Sequence, residues 1–338
     1  MRVLYYPEFD VLEMMDFPDP GVPAGEVSLE VAACGLCGSE LESVKNRSPR
    51  RTPPLIMGHE FCGRVVDAGE GIDESLVGQK FVSNSLISCG ACVRCRRGDT
   101  HLCAGRRLFG MHRPGAFASK VTVPLQALIP WPAGLTASEA CLAEPLANGI
   151  HVVNLTRHIS AQTALVIGAG PIGLMCQQAL SSLRGVQVMT CDLSEGRLAA
   201  AEKLGAARVV CSRQVDVLAE VMSWTEQEGV DLVIDAAGSA ATKRLSIASV
   251  RPGGGAVWIG LHSDEMQLKS YDISLPEKQV LGTYSAKKEE LMQALDLMRS
   301  GAVDVSSWVE SIPLDESPAA FRRMMNPGDK DLKAVFIP

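Results

Sequence analysis

The sequence lacks an apolar run long enough to cross a membrane as a helix. Its longest candidate, TALVIGAGPIGLM at 163–175, is interrupted by glycine and proline, whereas a spanning helix needs about 18 apolar residues. The N-terminal segment, MRVLYYPEFD, also lacks the charged-then-apolar layout of a signal peptide. We therefore expect a soluble, cytoplasmic protein with no membrane partner.

An excess of positive charge is also absent. The formal net charge is −7, which argues against nucleic acid as the main partner. The composition, 46% hydrophobic and 21% charged, is that of ordinary globular proteins and excludes disorder, collagen and coiled coil. At roughly 150 residues per domain, the 338 residues predict two domains.

Cysteine is too scarce for a disulfide scaffold, yet 11 residues are more than a typical core requires. In a reducing compartment, clustered cysteines more often bind metal than form disulfides. Six of them lie mostly in apolar stretches, and we interpret these as small buried hydrophobic residues. They are Cys34, Cys62, Cys141, Cys176, Cys191 and Cys211.

Four other cysteines form C-x2-C-x2-C-x7-C within residues 88–104, here called the cysteine lobe. They are Cys89, Cys92, Cys95 and Cys103. Four thiolates at such spacing predict a closed, structural zinc site, although an iron–sulfur cluster uses similar sets. The lobe is also rich in arginine, which would serve either as an anion-binding patch or to offset the charge of a zinc–thiolate centre.

The first 130 residues read mostly as β-strands separated by Pro, Gly, Asp and Ser. Farther along, short apolar strands such as VQVMTC at 186–191 alternate with helices, which predicts a parallel sheet covered on both faces. A helix ending at Gly301 follows, and two strand-like segments close the chain. We expect this tail to return to the first domain.

The segment GAGPIG at 168–173 matches G-x-G-x-x-G and lies between a predicted strand and a predicted helix, the context that dinucleotide binding requires. Its predicted cofactor-binding residues are Gly168, Gly170, Pro171, Ile172 and Gly173. Asp192 ends the next strand, 19 residues beyond Gly173. A carboxylate there would bind ribose hydroxyls and repel a 2′-phosphate, so NAD is favoured over NADP. The alternative is a glycine-rich turn with a capping aspartate.

Cys37, in CGLCGSE, and His59, in GHE, lie too far apart for spacing alone to join them. With the cysteine lobe, AEPLANGIH and GAGPIG, however, these motifs stand in the order of the zinc-dependent medium-chain dehydrogenase/reductase family, which the chain resembles over nearly its whole length. The AEPLA segment most resembles the sorbitol, threonine and galactitol-phosphate dehydrogenase branch. The resemblance implies an α/β fold, with a GroES-like, mostly-β catalytic domain at 1–146 and 283–338. It also implies a Rossmann NAD-binding domain, a doubly wound parallel sheet, at 147–282.

The resemblance further implies that Cys37 and His59 bind a catalytic zinc, with Glu60 and Glu144 beside it as ligands or exchanging with water. With one carboxylate bound the site would be neutral, and with both it would carry −1. We therefore expect one carboxylate to leave when substrate binds. Ser39 is implied to take the substrate proton first, and Arg197 to lie over the adenine.

Two positions depart from the family motif CGSDLH, which reads CGSELE in this chain. Glu40 replaces an aspartate that supports the zinc-bound histidine, and its extra methylene could shift that support. Glu42 replaces a histidine that completes the proton relay in some members. It would either accept the proton in turn or be only a surface charge.

The function implied is NAD-linked oxidation of a secondary alcohol of the polyol or sugar-alcohol type, by an enzyme that forms a homodimer or homotetramer. A phosphorylated polyol, an amino alcohol or a cyclitol is the alternative substrate. Arg47, Arg50 and Arg51 would either bind a phosphate or carboxylate or form a solvated loop. A non-catalytic, NAD-sensing zinc-ribbon protein is the alternative of another class.

Overall fold

The computed structural model describes residues 1–329 and 331–338. The chain separates into two compact units. The first consists of Met1–Glu144, Lys287–Gly301 and Val305–Pro338, and the second of Pro145–Ala286 and Ala302–Asp304. This division does not test the domain bounds expected from the sequence, and those bounds stay a prediction.

Residues 1–155 contain mostly strands and a few short helices. The strands are β1 (Arg2–Tyr6), β2 (Glu13–Asp16), β3 (Glu26–Gly35), β4 (Leu55–Ile56), β5 (Glu60–Ala68), β6 (Lys80–Ser83), β7 (Leu86–Ile87), β8 (Arg107–Leu108), β9 (Lys120–Pro124) and β10 (Leu128–Pro130). The helices are α1 (Gly38–Lys45), α2 (Val93–Arg96), α3 (Ala137–Ala140) and α4 (Ala143–Leu155).

The chain then alternates between strand and helix. The strands are β11 (Thr163–Ile167), β12 (Gln187–Asp192), β13 (Arg208–Cys211), β14 (Val230–Asp235), β15 (Val250–Trp258) and β16 (Gln279–Gly282). The helices are α5 (Pro171–Arg184), α6 (Glu195–Lys203), α7 (Val217–Trp224), α8 (Ala240–Ser249) and α9 (Tyr271–Ser274). The last elements are α10 (Lys288–Arg299), β17 (Val309–Pro313), α11 (Ser317–Met325) and β18 (Lys333–Ile337).

The main sheet of the first unit has the order β10-β6-β5-β3-β18-β17, with β9 also paired to β3. Its core includes two edge-to-face aromatic pairs, Phe61 with Phe109 and Phe117 with Phe336. The last of these comes from β18, which pairs antiparallel with β3 and parallel with β17. The C-terminal strand is therefore an internal part of this sheet, between two strands that are distant from each other in sequence.

The second unit is a six-stranded parallel sheet of order β13-β12-β11-β14-β15-β16. The order of the strands reverses at β11: β12 and β13 lie on one side of it, and β14, β15 and β16 on the other. The crevice between β11 and β14 at such a switch point is where open parallel sheets bind dinucleotides. Buried aliphatic side chains such as Leu165 and Val233 form its core. Among the described residues, no helix combines the length and apolar character that crossing a membrane requires.

Candidate active site

The side chains of Cys37, His59 and Glu60 converge, and one ligand atom from each lies within 4.8 Å of the others. The register of two antiparallel strands explains the convergence, because Gly35 at the end of β3 pairs with Glu60 at the start of β5. Cys37 follows β3 by two residues and caps α1. His59 directly precedes β5 and is buried with Glu60.

Glu40, which is completely buried, connects these segments through its carboxylate. Its Oε1 accepts a 2.8 Å hydrogen bond from the Gly58 N–H and lies 2.9 Å from His59 Nδ1, while its Oε2 accepts one of 3.0 Å from the Cys37 N–H. Burial alone would raise the pKa of this carboxyl, but His59 and Arg51 hold it below its ordinary value. The glutamate thus makes the supporting contact expected of an aspartate and leaves His59 Nε2 available to a metal.

Lys333 is a charged residue of the site that sequence reasoning missed. Its Nζ lies 2.5 Å from Glu60 Oε2 and donates to the Leu36 carbonyl at 2.9 Å. Burial would lower the pKa of this lysine, but Glu60 and Cys37 raise it above the ordinary value. The only signal in the sequence is a lysine at the start of the apolar segment AVFIP. Nothing local indicates that β18 brings it to Glu60.

Glu144 lies in the first turn of α4 and is buried. Its Oε1 accepts a 2.7 Å hydrogen bond from the Ser85 hydroxyl. Burial and the nearby Glu60 raise the pKa of its carboxyl. Glu144 is not part of the trio whose ligand atoms all lie within 4.8 Å of one another.

Ser39 and Glu42 lie on α1 but differ in their contacts. The Ser39 hydroxyl is 3.3 Å from Cys37 Sγ and accepts a 3.2 Å hydrogen bond from Arg51 Nη2. Glu42 instead accepts a hydrogen bond from the Asn46 side chain. Among the described residues, no hydrogen bond joins Glu42 to Ser39, and a relay between them stays a prediction.

The arginines between Cys37 and His59 do not act as one group. Arg47 pairs with Asp10 at the surface, whereas Arg51 is 2% exposed and bonded to α1 and to the Gly110 carbonyl. Arg50 is exposed, with no side-chain partner in residues 1–329 or 331–338. The three side chains therefore do not form a shared anion site.

The four cysteines of the cysteine lobe lie at the corners of a compact cluster. The separations of their sulfur atoms are 3.5 Å for Cys92–Cys95 and Cys89–Cys103, 3.8 Å for Cys92–Cys103 and 3.9 Å for Cys89–Cys95. Tetrahedral zinc with bonds of about 2.3 Å to sulfur places the thiolates about 3.8 Å apart. The donor set fits one zinc ion and is too tight for a cluster of several irons.

The arginines of the cysteine lobe and the segment after it donate largely to nearby carbonyl groups. Arg94 donates to Leu102 O at 2.8 Å and Arg106 to Cys103 O at 3.0 Å. Arg96 donates to the Ala91 carbonyl. These contacts favour a structural role for the arginines over an anion-binding patch.

In the second unit, the GAGPIG segment forms the turn between β11 and α5, with Gly170 as N-cap and Pro171 in the first helical turn. A Cβ at Gly173 would lie 1.8 Å from the Gly168 carbonyl oxygen, whereas one at Gly170 would meet nothing within 4 Å. The third glycine is thus required for packing. The second leaves open space at the N-terminus of α5, where a phosphate is favoured.

Asp192, at the end of β12, supports this turn. Its carboxylate accepts hydrogen bonds from the Ala169 N–H at 2.7 Å and the Ser194 N–H at 2.9 Å. Arg197 lies in the first turn of α6 and is half-buried. Asp192 therefore lies beside the predicted phosphate turn, as the sequence motif requires.

Comparison with known proteins decides the family. Residues 23–133 match the alcohol dehydrogenase GroES-like domain, and residues 171–300 match the zinc-binding dehydrogenase domain. A 2-dehydro-3-deoxy-L-galactonate 5-dehydrogenase from Pseudoalteromonas atlantica is 32% identical over 305 residues, covering 89% of this chain and 88% of that protein. The chain belongs to the zinc-binding alcohol dehydrogenase family.

Two further proteins are similar to this one over almost the whole chain. D-arabitol-phosphate dehydrogenase from Enterococcus avium is 29% identical, covering 94% of this chain and 92% of that one. A zinc-binding dehydrogenase from Sinorhizobium meliloti 1021, solved with bound NADP, superposes with a TM-score of 0.91 at 30% identity, covering 100% of this chain and 99% of that chain.

These findings confirm the predicted family, the GroES-like and Rossmann fold class and the assignment as an oxidoreductase. Zinc and a nicotinamide dinucleotide are confirmed as cofactors of the family. None of these relatives supports the non-catalytic alternative.

Two of the three glycines of the GAGPIG turn give a matched test. Gly173→Ala should lower the free energy of unfolding by about 1–3 kcal/mol, because its methyl group overlaps the Gly168 carbonyl. Gly170→Ala should leave stability within about 0.5 kcal/mol but weaken NADH binding, because its methyl group enters the space the pyrophosphate needs. Denaturant unfolding and NADH fluorescence measure the two effects. Equal stability of both variants would contradict this assignment.

Proposed function

We propose that the chain oxidises a secondary alcohol of the polyol or sugar-alcohol type with NAD, releasing a ketone, NADH and a proton, and that it also catalyses the reverse reaction. The convergence of Cys37, His59 and Glu60 in a family member supports this proposal most directly. Thiolate, imidazole and carboxylate are the donors that zinc prefers in catalytic sites with an open position. The residues therefore fit the metal that the family requires.

In this proposal Cys37 and His59 hold the zinc together with Glu60 or Glu144. Bound zinc supplies Lewis-acid chemistry that lowers the pKa of an alcohol and polarises a ketone. Glu40 orients His59 and the Cys37 backbone, so both donors face the same point.

Lys333 adds a positive charge that the net charge of the zinc site, counted from the sequence, did not include. With its ammonium group counted, a site that includes zinc, the Cys37 thiolate and both carboxylates has no net charge. Net charge alone therefore gives less reason than expected for one carboxylate to leave the zinc when substrate binds. Lys333 can instead retain Glu60 when that carboxylate is not a zinc ligand, because their atoms are already paired.

Ser39 is the proposed hydroxyl partner of the substrate oxygen, since it lies 3.3 Å from Cys37 Sγ. The bond of Glu42 to Asn46 favours release of the substrate proton to water over transfer to Glu42. NAD is the proposed coenzyme because the Asp192 carboxylate beside the turn would repel the 2′-phosphate of NADP.

An uncharged polyol is favoured over its phosphate ester. Recognition of phosphate commonly uses several convergent donors, but Arg47 is paired with Asp10 and Arg51 is buried. The comparisons include a dehydrogenase named for a phosphorylated polyol, so phosphorylated polyols, amino alcohols and cyclitols remain the alternatives to test.

We propose a cytoplasmic homodimer or homotetramer assembled through the second unit. Apolar side chains are exposed shortly before edge strand β16, including Tyr271 at 74% and Leu275 at 77%. An edge strand with neighbouring apolar surface favours association with another copy. All 11 cysteines of the chain are free thiols within the described residues, which agrees with a reducing compartment.

The first test is NADH formation, followed by absorbance, with a panel of polyols, each beside its phosphate ester and with NAD and NADP in parallel. We expect kcat/KM to be at least about tenfold higher for a free polyol with NAD than for its ester or for NADP, a difference of about 1.4 kcal/mol in transition-state binding. Arg50→Ala should not change polyol turnover. Preference for an ester would reverse the substrate assignment, and no turnover by zinc-loaded protein would favour the non-catalytic alternative.

The two zinc sites should separate by mutation. Cys37→Ser should lose one of two zinc ions per chain and all activity, with little change in thermal stability, because an open site contributes less to folding. Cys92→Ser should lose the other ion and lower the unfolding temperature, because a structural zinc site contributes directly to folding. Elemental analysis and calorimetry measure both effects, with Cys211→Ser as the control. Two ions retained in either variant would refute that ligand set.

The assembly proposal predicts that Leu275→Glu shifts the protein towards monomer, because a carboxylate would be buried in the contact. Sedimentation velocity over a range of concentrations measures this shift. Val77→Glu is the control, since Val77 is also an exposed apolar residue but lies in the first unit. A wild-type monomer, or an unchanged oligomer in the Leu275 variant, would contradict the proposal.

A further inference from the structure

Arg51 is a buried cation whose donors converge on the first turns of α1. Its Nη1 donates to the Ser39 carbonyl at 2.9 Å and the Ser43 hydroxyl at 3.2 Å, and its Nη2 donates to Ser39 Oγ at 3.2 Å. Its Nε donates to the Gly110 carbonyl at 3.2 Å. With 2% exposure, this guanidinium does not act as a surface anion receptor.

A guanidinium restricts the hydrogen bonding of any hydroxyl that it contacts. Arginine has five N–H donors and no acceptor, and it stays protonated in proteins. In its contact with Arg51, Ser39 Oγ must therefore be the acceptor. The hydroxyl proton of Ser39 must point elsewhere, and its other neighbour is Cys37 Sγ at 3.3 Å, on the side of the metal-binding trio.

We propose that Arg51 is a positioning residue that fixes Ser39 as a hydrogen-bond donor towards the substrate oxygen. This inference rests on the proposed function and narrows the role of Ser39. The serine keeps its own proton and donates to the oxygen that carries increasing negative charge. When the alcohol O–H bond breaks, its proton passes to water and not to a side chain, so in this proposal Ser39 does not take the substrate proton first, as the family resemblance implied.

The surroundings of Arg51 make such a buried cation tolerable. Burial would raise the pKa of the Glu40 carboxyl, and His59, with a smaller contribution from Arg51, holds it below its ordinary value, so Glu40 is a buried anion in the neighbourhood of this cation. Glu40 orients His59, and Arg51 orients Ser39. Two buried groups of opposite charge thereby position the His59 imidazole and the Ser39 hydroxyl.

A double-mutant cycle tests the proposal. Arg51→Gln should lower kcat about tenfold with KM changed less than about twofold, because an amide can accept the Ser39 proton and a transition-state interaction is lost. Arg51→Lys should restore part of the rate, since ammonium is also donor-only. When Ser39 is already alanine, Arg51→Gln should lower kcat further by less than about twofold. When Ser39 is threonine, which keeps the hydroxyl, Arg51→Gln should lower kcat as much as it does in the wild type.

Arg47→Gln is the matched control, because Arg47 belongs to the same loop but pairs with Asp10 at the surface. It should leave kcat and KM unchanged. A purely structural role for Arg51 would instead penalise Lys and Gln alike, and by the same factor whether or not the Ser39 hydroxyl is present. That result would overturn the proposal.

A spectroscopic readout keeps the test independent of turnover. In protein labelled with 15N-arginine, the Arg51 Nη resonances should shift on Ser39→Ala and return towards their wild-type positions in Ser39→Thr. Elemental analysis should show equal zinc in all variants. An inactive wild type with these shifts would refute the proposed function but keep the Arg51–Ser39 contact. An active wild type without them would refute this inference alone.

Discussion

The active site depends on one buried carboxylate. Glu40 receives hydrogen bonds from the Cys37 and Gly58 N–H groups and lies beside His59 Nδ1, so it joins the start of α1 to the segment before β5. A buried carboxylate without such partners would be strongly unfavourable. The two segments must therefore approach each other for the charge to be satisfied, and their approach places the Cys37 thiol beside the His59 imidazole.

Much of the fold could be predicted from local patterns. Alternating strands and helices with GAGPIG between two of them indicate a parallel dinucleotide-binding sheet, and the order of strands β11 to β16 agrees. The cysteine lobe could also be recognised from the sequence, because its four cysteines lie within 15 residues at a spacing typical of zinc coordination.

The site residues that escaped prediction are those whose role depends on long-range pairing. Lys333 reaches Glu60 only because β18 pairs with β3, and no local pattern reveals that register. The sequence grouped Arg51 with Arg47 and Arg50, as a loop that either binds an anion or is solvated, whereas the structure buries Arg51 and leaves the other two exposed. Its burial depends on α1 and on the Gly110 carbonyl, 59 residues away. Charge patterns identify such residues, but only tertiary structure separates a buried cation from a surface one.

The pairing of Glu60 with Lys333 also has a consequence for biosynthesis. The two residues are 273 positions apart, so a ribosome has translated most of the chain before the lysine exists. Until then, the nascent first unit lacks both the internal strand β18 and the cation that pairs with Glu60. β18 can therefore complete the first unit only after every strand of the second unit has been synthesised. The second unit, whose strands are all made earlier, can form its sheet while the first still awaits its last strand.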